Sequence, residues 1–266
     1  MTTKPHQPTP EELGFFDVNG YLVLEEFLDP DHVDRLTRSL DQTVQRRRRL
    51  DEENQPHPGK TVVDGDNIRI LHILGDDPRF QELLDHPAIM PYVQAILSDK
   101  PHFHASDAFW EIEPKASEPG WHIDGFGGGF RPLRPGIPLL QLKVAYFLSD
   151  MSEPGQGNLT IVPQSHRLDE DLTDEQRQSF DFPEAVQVCV PPGSCVLFHN
   201  ALWHTRGAFT RAGGQRIMLY YAYELPWMVA NPEHWSYPRE FYDGLTPLQR
   251  QLFHGFVFDP PEDRWY

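Results

Sequence analysis

Gly120-Trp121-His122-Ile123-Asp124-Gly125 sets an imidazole and a carboxylate two residues apart. In an extended chain, side chains at i and i+2 leave the same face, so a nitrogen and an oxygen donor can meet at one small object, a metal ion. Two donors are half a site, and a third has to come from elsewhere. The segment Phe198-His199-Asn200-Ala201-Leu202-Trp203-His204 offers two more imidazoles, and Arg216 lies twelve residues beyond the second. Two histidines and one carboxylate are the facial ligand set of non-haem Fe(II), which leaves three positions for an organic cosubstrate and oxygen. Zinc accepts the same donors, so a zinc-dependent hydrolase or isomerase on a cupin-like barrel answers to the same residues.

These donors need a scaffold that brings the middle of the chain to its later part. From Lys100-Pro101 onward the apolar pattern turns toward period two, predicting strands at 103–112, 139–148, 159–162, 186–190, 194–199 and 216–223. Before that point the pattern is helical. Thr9-Pro10-Glu11-Glu12 reads as a capped helix start that Asn19-Gly20 ends, and Tyr21 to Leu24 as a strand. Asp29-Pro30-Asp31 starts a second helix with Val33, Leu36 and Leu40 on one face. Its end, Arg46-Arg47-Arg48-Arg49 before Asp51-Glu52-Glu53, reads as a solvated helix terminus. Residues 51–67 read as a loop, 68–73 as a short strand, 80–97 as one or two packed helices, 168–180 as a helical excursion and 246–253 as a late helix. The triple glycine 127–129 suits a mobile lip over the site. Early helices followed by about eight short strands predict one β-sandwich or barrel with helices packed outside it.

Composition narrows the partners. Forty acidic against 23 basic residues give a formal charge of −17, which disfavours a phosphate-binding surface and hence nucleic acid. An anionic small molecule in a local basic pocket is still compatible with that charge. Two cysteines, Cys189 and Cys195, are too few for a disulfide framework and read as free thiols. No apolar stretch is long enough for a membrane span and the N-terminus has no apolar targeting core, so the expectation is a cytoplasmic protein with no membrane contact.

With these blocks in place the chain resembles the phytanoyl-CoA dioxygenase family of Fe(II)- and 2-oxoglutarate-dependent oxygenases. The resemblance rests on four blocks in the family's order: FFDVNGYLVLEEFLDPDHVDRL, WHIDG, GNLTIVPQSHR, and PPGSCVLFHNALWHTRGAF with a following arginine. It implies a mainly β double-stranded β-helix (jelly roll, cupin-like) with flanking N- and C-terminal helices, over one domain spanning 1–266 with a flexible tail at 1–10. It implies Fe(II) held by His122, Asp124 and His204, with His199 as a framework residue. It further implies 2-oxoglutarate and O2 as cosubstrates, with Arg216 on the distal carboxylate and Arg211 as the competing position for that role.

Gln141 and Phe109 are the other expected cosubstrate contacts. Asp107, Trp110 and Trp121 are expected to line a pocket for a ringed substrate, and Arg206 is either a substrate-side or cosubstrate-side cation or a surface residue. The family usually has Pro-Gly-Ser-His where this chain has Pro163-Gln164-Ser165-His166. Halogenating oxygenases typically lack the carboxylate ligand, so Asp124 favours hydroxylation. The implied function is oxidation of a small-molecule, secondary-metabolite substrate. The alternatives are the zinc enzyme and a non-catalytic binding protein on a degenerate oxygenase scaffold.

Overall fold

The computed structural model describes residues 7–55, 59–114, 119–124, 133, 136–180, 182–228, 237 and 239–253. Helix α1 (Pro10–Asn19) starts where the sequence predicts: the Thr9 hydroxyl accepts from the Glu12 amide and the Glu12 carboxylate accepts from the Thr9 amide. Gly20, at φ +78°, ends it in the left-handed region and turns the chain into β1 (Tyr21–Leu24). Helix α2 (Pro30–Glu52) is capped by the Asp29 carboxylate. Next come β2 (Thr61–Asp64), β3 (Asn67–Leu71), α3 (Pro78–Gln81), α4 (Met90–Ile96), β4 (His102–Glu111) and β5 (Gln141–Phe147). The chain continues through β6 (Leu159–Ile161), α5 (Asp174–Arg177), β7 (Val186–Gln187), β8 (Cys195–His199), β9 (His204–Arg206) and β10 (Arg216–Glu224). Helices α6 (Arg239–Gly244) and α7 (Pro247–Gln251) follow, the latter capped by Thr246.

Seven strands form one antiparallel sheet in the order β1-β8-β5-β10-β4-β3-β2, and β7-β6-β9 form a second. Side-chain alternation gives the larger sheet two faces with different jobs. Leu142, Val144 and Tyr146 of β5, with Leu219, Tyr221 and Tyr223 of β10, join Leu36 and Leu40 of α2 and the α3–α4 region in one apolar cluster. Ala145, Phe147, Val196, Phe198 and Met218 point the other way, against Leu159 and Ile161 of the smaller sheet. The helices therefore back one face, and the smaller sheet covers the other in the double-stranded β-helix arrangement. Leu36 and Leu40 are fully buried, each contributing about 2 kcal/mol relative to exposure.

Several local expectations change. Strands β2 and β9 are additional, β2 falling in the stretch read as a loop, and the 168–180 excursion condenses to the single turn α5. The arginine run is only partly solvated. Val33, Leu36, Leu40, Val44 and Arg47 share one buried stripe of α2, so Arg47 is carried into the core. Its Nε and Nη2 donate to the two Asp76 carboxylate oxygens at 3.0 and 2.7 Å, and Arg46 adds a 2.7 Å bond to the same group. Gln164 occupies the left-handed region at φ +66°, the conformation that a glycine at this turn adopts without strain. Both cysteines are free thiols. No described helix is long and apolar enough to cross a membrane.

Candidate metal and cosubstrate site

The two late-strand segments meet the WHIDG segment through backbone. His122 and His204 exchange N–H···O bonds, both 3.0 Å, and the Asp124 amide donates to the Asn200 carbonyl at 2.8 Å. Asn200 also accepts from the Leu140 and Gln141 amides through its side-chain oxygen, at 2.9 and 3.1 Å. One buried asparagine thus ties the Asp124 segment to the entry of β5. Alternation then aims His122 and Asp124 to one side and Trp121 and Ile123 to the other.

One potential ligand atom each from His122, Asp124 and His204 lies within 4.8 Å of the others. Both imidazoles are oriented in the same way. His122 Nδ1 faces the Gly120 carbonyl at 2.6 Å and His204 Nδ1 faces the Leu202 carbonyl at 2.8 Å. A carbonyl only accepts, so each Nδ1 carries a proton, which in a neutral ring leaves the lone pair on Nε2. Burial, reinforced by His122, lowers the His204 imidazole to about 4 and keeps it neutral. Burial pushes the Asp124 carboxyl up, but Lys143, His204 and His122 together outweigh that and hold it below its ordinary value. Its Oδ2 is buried with no hydrogen-bond partner among the described residues, while Oδ1 lies 3.5 Å from Lys143 Nζ. Two imidazoles oriented to offer Nε2 and one ionised carboxylate form a donor set that suits a divalent ion.

These three residues open onto a cavity of about 330 Å3 that also reaches Arg69, Phe109, Arg206 and Arg216. Alternation along β4 explains the wall: Asp107, Phe109 and Glu111 share the cavity side and meet three arginines. Arg69 donates to Asp107 at 2.6 Å, while Arg216 Nη1 and Arg206 Nε both donate to Glu111 Oε2, at 2.7 and 3.2 Å. The Arg69 and Arg216 guanidiniums also lie 5.1 and 4.6 Å from the Phe109 ring centroid. Arg216 is buried at 3% exposure. Burial lowers the Arg206 guanidinium, Glu111 opposes that, and Arg216 adds to it.

Of the expected site residues, His122, Asp124, His204, Arg216, Phe109, Asp107 and Arg206 come together around this cavity. Three do not. Trp110 faces the helix-backed side of β4, against the cluster that holds Ile68 and Ile217, because its parity is opposite to that of Phe109. Trp121 is buried among Ile123, Val162 and Trp203, and its indole donates to the Ser179 carbonyl at 2.8 Å. Gln141 is not on the cavity wall. Its side-chain amide lies beside the His104 ring, which itself contacts Glu224 at 2.7 Å, next to a bulge where the β4–β10 register slips. His199 is a buried neighbour of His166, lowered to about 3 by burial first and His166 second. Its Nδ1 accepts from the Ala201 amide at 2.9 Å, which shapes the turn leading to His204. The glycine run 127–129 lies outside the described residues.

Glu111, Asn200, Arg69 and Lys143 also belong to this site and are not among the residues expected from the sequence. For Glu111 a signal was present: it continues the i, i+2 series of Asp107 and Phe109.

Comparison with known proteins agrees with this layout. The chain is 23% identical to the dioxygenase aneA of Aspergillus aculeatus over 94% of its own length and 83% of that protein. Among solved structures it resembles the epimerase SnoN, crystallised with Fe3+, alpha-ketoglutarate and nogalamycin RO. There the TM-score is 0.60 at 19% identity, covering 84% of this chain and 86% of that one. It also resembles HygX from Streptomyces hygroscopicus with nickel, 2-oxoglutarate and hygromycin B bound. That match has a TM-score of 0.61 at 20% identity, over 84% of this chain and 89% of that one. The phytanoyl-CoA dioxygenase (PhyH) family profile matches residues 16–216, and the chain belongs to that family.

Proposed function

We propose that the chain is an Fe(II)- and 2-oxoglutarate-dependent oxygenase that hydroxylates a small-molecule secondary metabolite. His122, Asp124 and His204 are its metal ligands and Arg216 is the anchor for the cosubstrate's distal carboxylate. The observation that carries this reading is the pair of imidazoles whose Nδ1 protons are tied to backbone carbonyls, beside a buried carboxylate oxygen without a partner among the described residues. Side chains serving only as packing have no need of three convergent, unprotonated donor atoms.

Fe(II) with 2-oxoglutarate supplies, when bound, the oxygen activation and C–H oxidation. The protein's residues bind, orient and shield. Gly120 and Leu202 fix the imidazole tautomers. Lys143 keeps Asp124 anionic, and Phe109 and Phe198 contribute apolar wall that limits water around the reacting groups. Arg216 offers a planar fork suited to a carboxylate. The secondary metabolites bound by SnoN and HygX, and a cavity within the usual range for small ligands, support a substrate of that kind.

The test is succinate formation in a substrate screen, with Fe(II), 2-oxoglutarate and O2 omitted in turn. Turnover should need all three, and turnover with Zn(II) under anaerobic conditions without 2-oxoglutarate would overturn the reading in favour of hydrolysis or isomerisation. Asp124→Ala should abolish the visible charge-transfer absorption of the anaerobic Fe(II)–2-oxoglutarate complex and reduce succinate formation at least about 100-fold.

A further inference from the structure

Arg216 accounts for one guanidinium beside Glu111, but Arg206 donates to the same carboxylate oxygen and has no part in the ligand set above. The shared oxygen leaves the two guanidiniums one directly bonded carboxylate, with Asp64 acting on Arg206 only through its field and the Tyr220 hydroxyl beside Arg216. It also leaves hydrogen-bonding capacity unused. Arg206 Nη2 and Arg216 Nε are both buried without a partner among the described residues, an arrangement that is costly unless something completes it.

The surroundings are shaped to hold this pair. Gly157, at φ +73°, sits where an added Cβ would lie 3.0 Å from Arg216 Cδ and 3.2 Å from Arg206 Nε, so the absence of a side chain there leaves room for both. Phe109 flanks Arg216 and Phe209 flanks Arg206. His204 and Arg206 are i and i+2 on β9, where alternation puts both toward the cavity about 7 Å apart along the strand. A compact dicarboxylate that reaches from the metal face toward Arg216 therefore ends between two guanidiniums.

We infer that Arg206 and Arg216, bridged by Glu111, form a two-arginine anchor that takes a single carboxylate and selects a dicarboxylic 2-oxo acid over a monocarboxylic one. This assigns Arg206 to the cosubstrate and not to the substrate, and it rests on the cosubstrate reading above. Glu111 is the positioning residue: it preorders both forks.

The experiment is an anaerobic titration of Fe(II)-loaded protein, followed by charge-transfer absorption, with 2-oxoglutarate and with 2-oxobutyrate, which lacks the distal carboxylate. Wild type should bind 2-oxoglutarate far more tightly. Arg206→Met should weaken 2-oxoglutarate about tenfold or more and change 2-oxobutyrate by less than twofold, and Arg206→Lys should recover part of the loss. If Arg206→Met binds 2-oxoglutarate as wild type does, or weakens both acids equally, the anchor is Arg216 alone and the inference fails. Thermal unfolding of each variant identifies a misfolded one. In that event Arg206→Lys carries the test, and it too should narrow the ratio between the two acids. Wild-type protein that binds neither acid would instead overturn the cosubstrate reading itself.

Discussion

Two places in the molecule set a pair of arginines on one carboxylate, and the two are completed to different degrees. At the back of the larger sheet, Arg46 and Arg47 use both oxygens of Asp76, and Arg46 also reaches the Asp76 carbonyl at 3.0 Å. In the cavity, Arg206 and Arg216 crowd onto a single oxygen of Glu111, and each keeps a buried donor without a partner among the described residues. The residue types match, so composition cannot tell the pairs apart. What separates them is saturation: a closed network maintains packing, and an open one is ready for a further anion.

That contrast can be broken most forcefully at Asp76. Asp76→Asn leaves the fully buried Arg47 without its counter-charge and should cost about 3–5 kcal/mol in urea denaturation, with 2-oxoglutarate affinity unchanged in the protein that remains folded. The opposite pattern is expected in the cavity. Arg216→Met leaves Glu111 paired with Arg206, so its stability cost should be smaller than that of Asp76→Asn. The KM for 2-oxoglutarate, read from succinate formation, should nevertheless rise about 100-fold, equivalent to about 2.7 kcal/mol.

The histidines sharpen the same distinction by a smaller amount. His86 is lowered to about 4 by burial first and by His32 second, as far as His204 is, but it packs against Phe27 and His32 and reaches no ligand position. Because the folded value lies below the unfolded one of about 6.5, the unfolded chain binds more protons between them. Stability from His86 is therefore complete above pH 6.5 and declines as pH falls toward 4. His86→Phe should flatten that decline in denaturation of the metal-free protein at successive pH values.

How far the sequence could reach follows from the kind of information each feature needed. That His122, Asp124, His204 and Arg216 meet at one cavity was legible because donor type and chain order carry it, while the roles expected of them come from the resemblance of the four blocks. Helix starts at Thr9, Asp29 and Thr246 were legible because capping is local. Trp110 and Trp121 were misassigned because their orientation depends on strand parity, which shifts with a single residue of register. The destination of Gln141 depended on the β4–β10 bulge, and that of Arg47 on continuing the apolar stripe of α2 one step past Val44. Strand β9 is three residues long, so it had too little period-two pattern to be seen without its partner β6. Where physics is local the residues declare it, and where two distant segments must meet they do not.

The paired backbone bonds between His122 and His204 have a consequence for the life of the folded chain. These segments lie about eighty residues apart, so in the unfolded ensemble their donors are dispersed and bind no ion as a set. A divalent ion held by His122, Asp124 and His204 acts as a clasp across the whole jelly roll. At one hundred times its dissociation constant the ion would add about 2.7 kcal/mol to folding. Metal scarcity would then shorten the survival of the protein as well as idle it, making its abundance a record of the supply of the ion it needs.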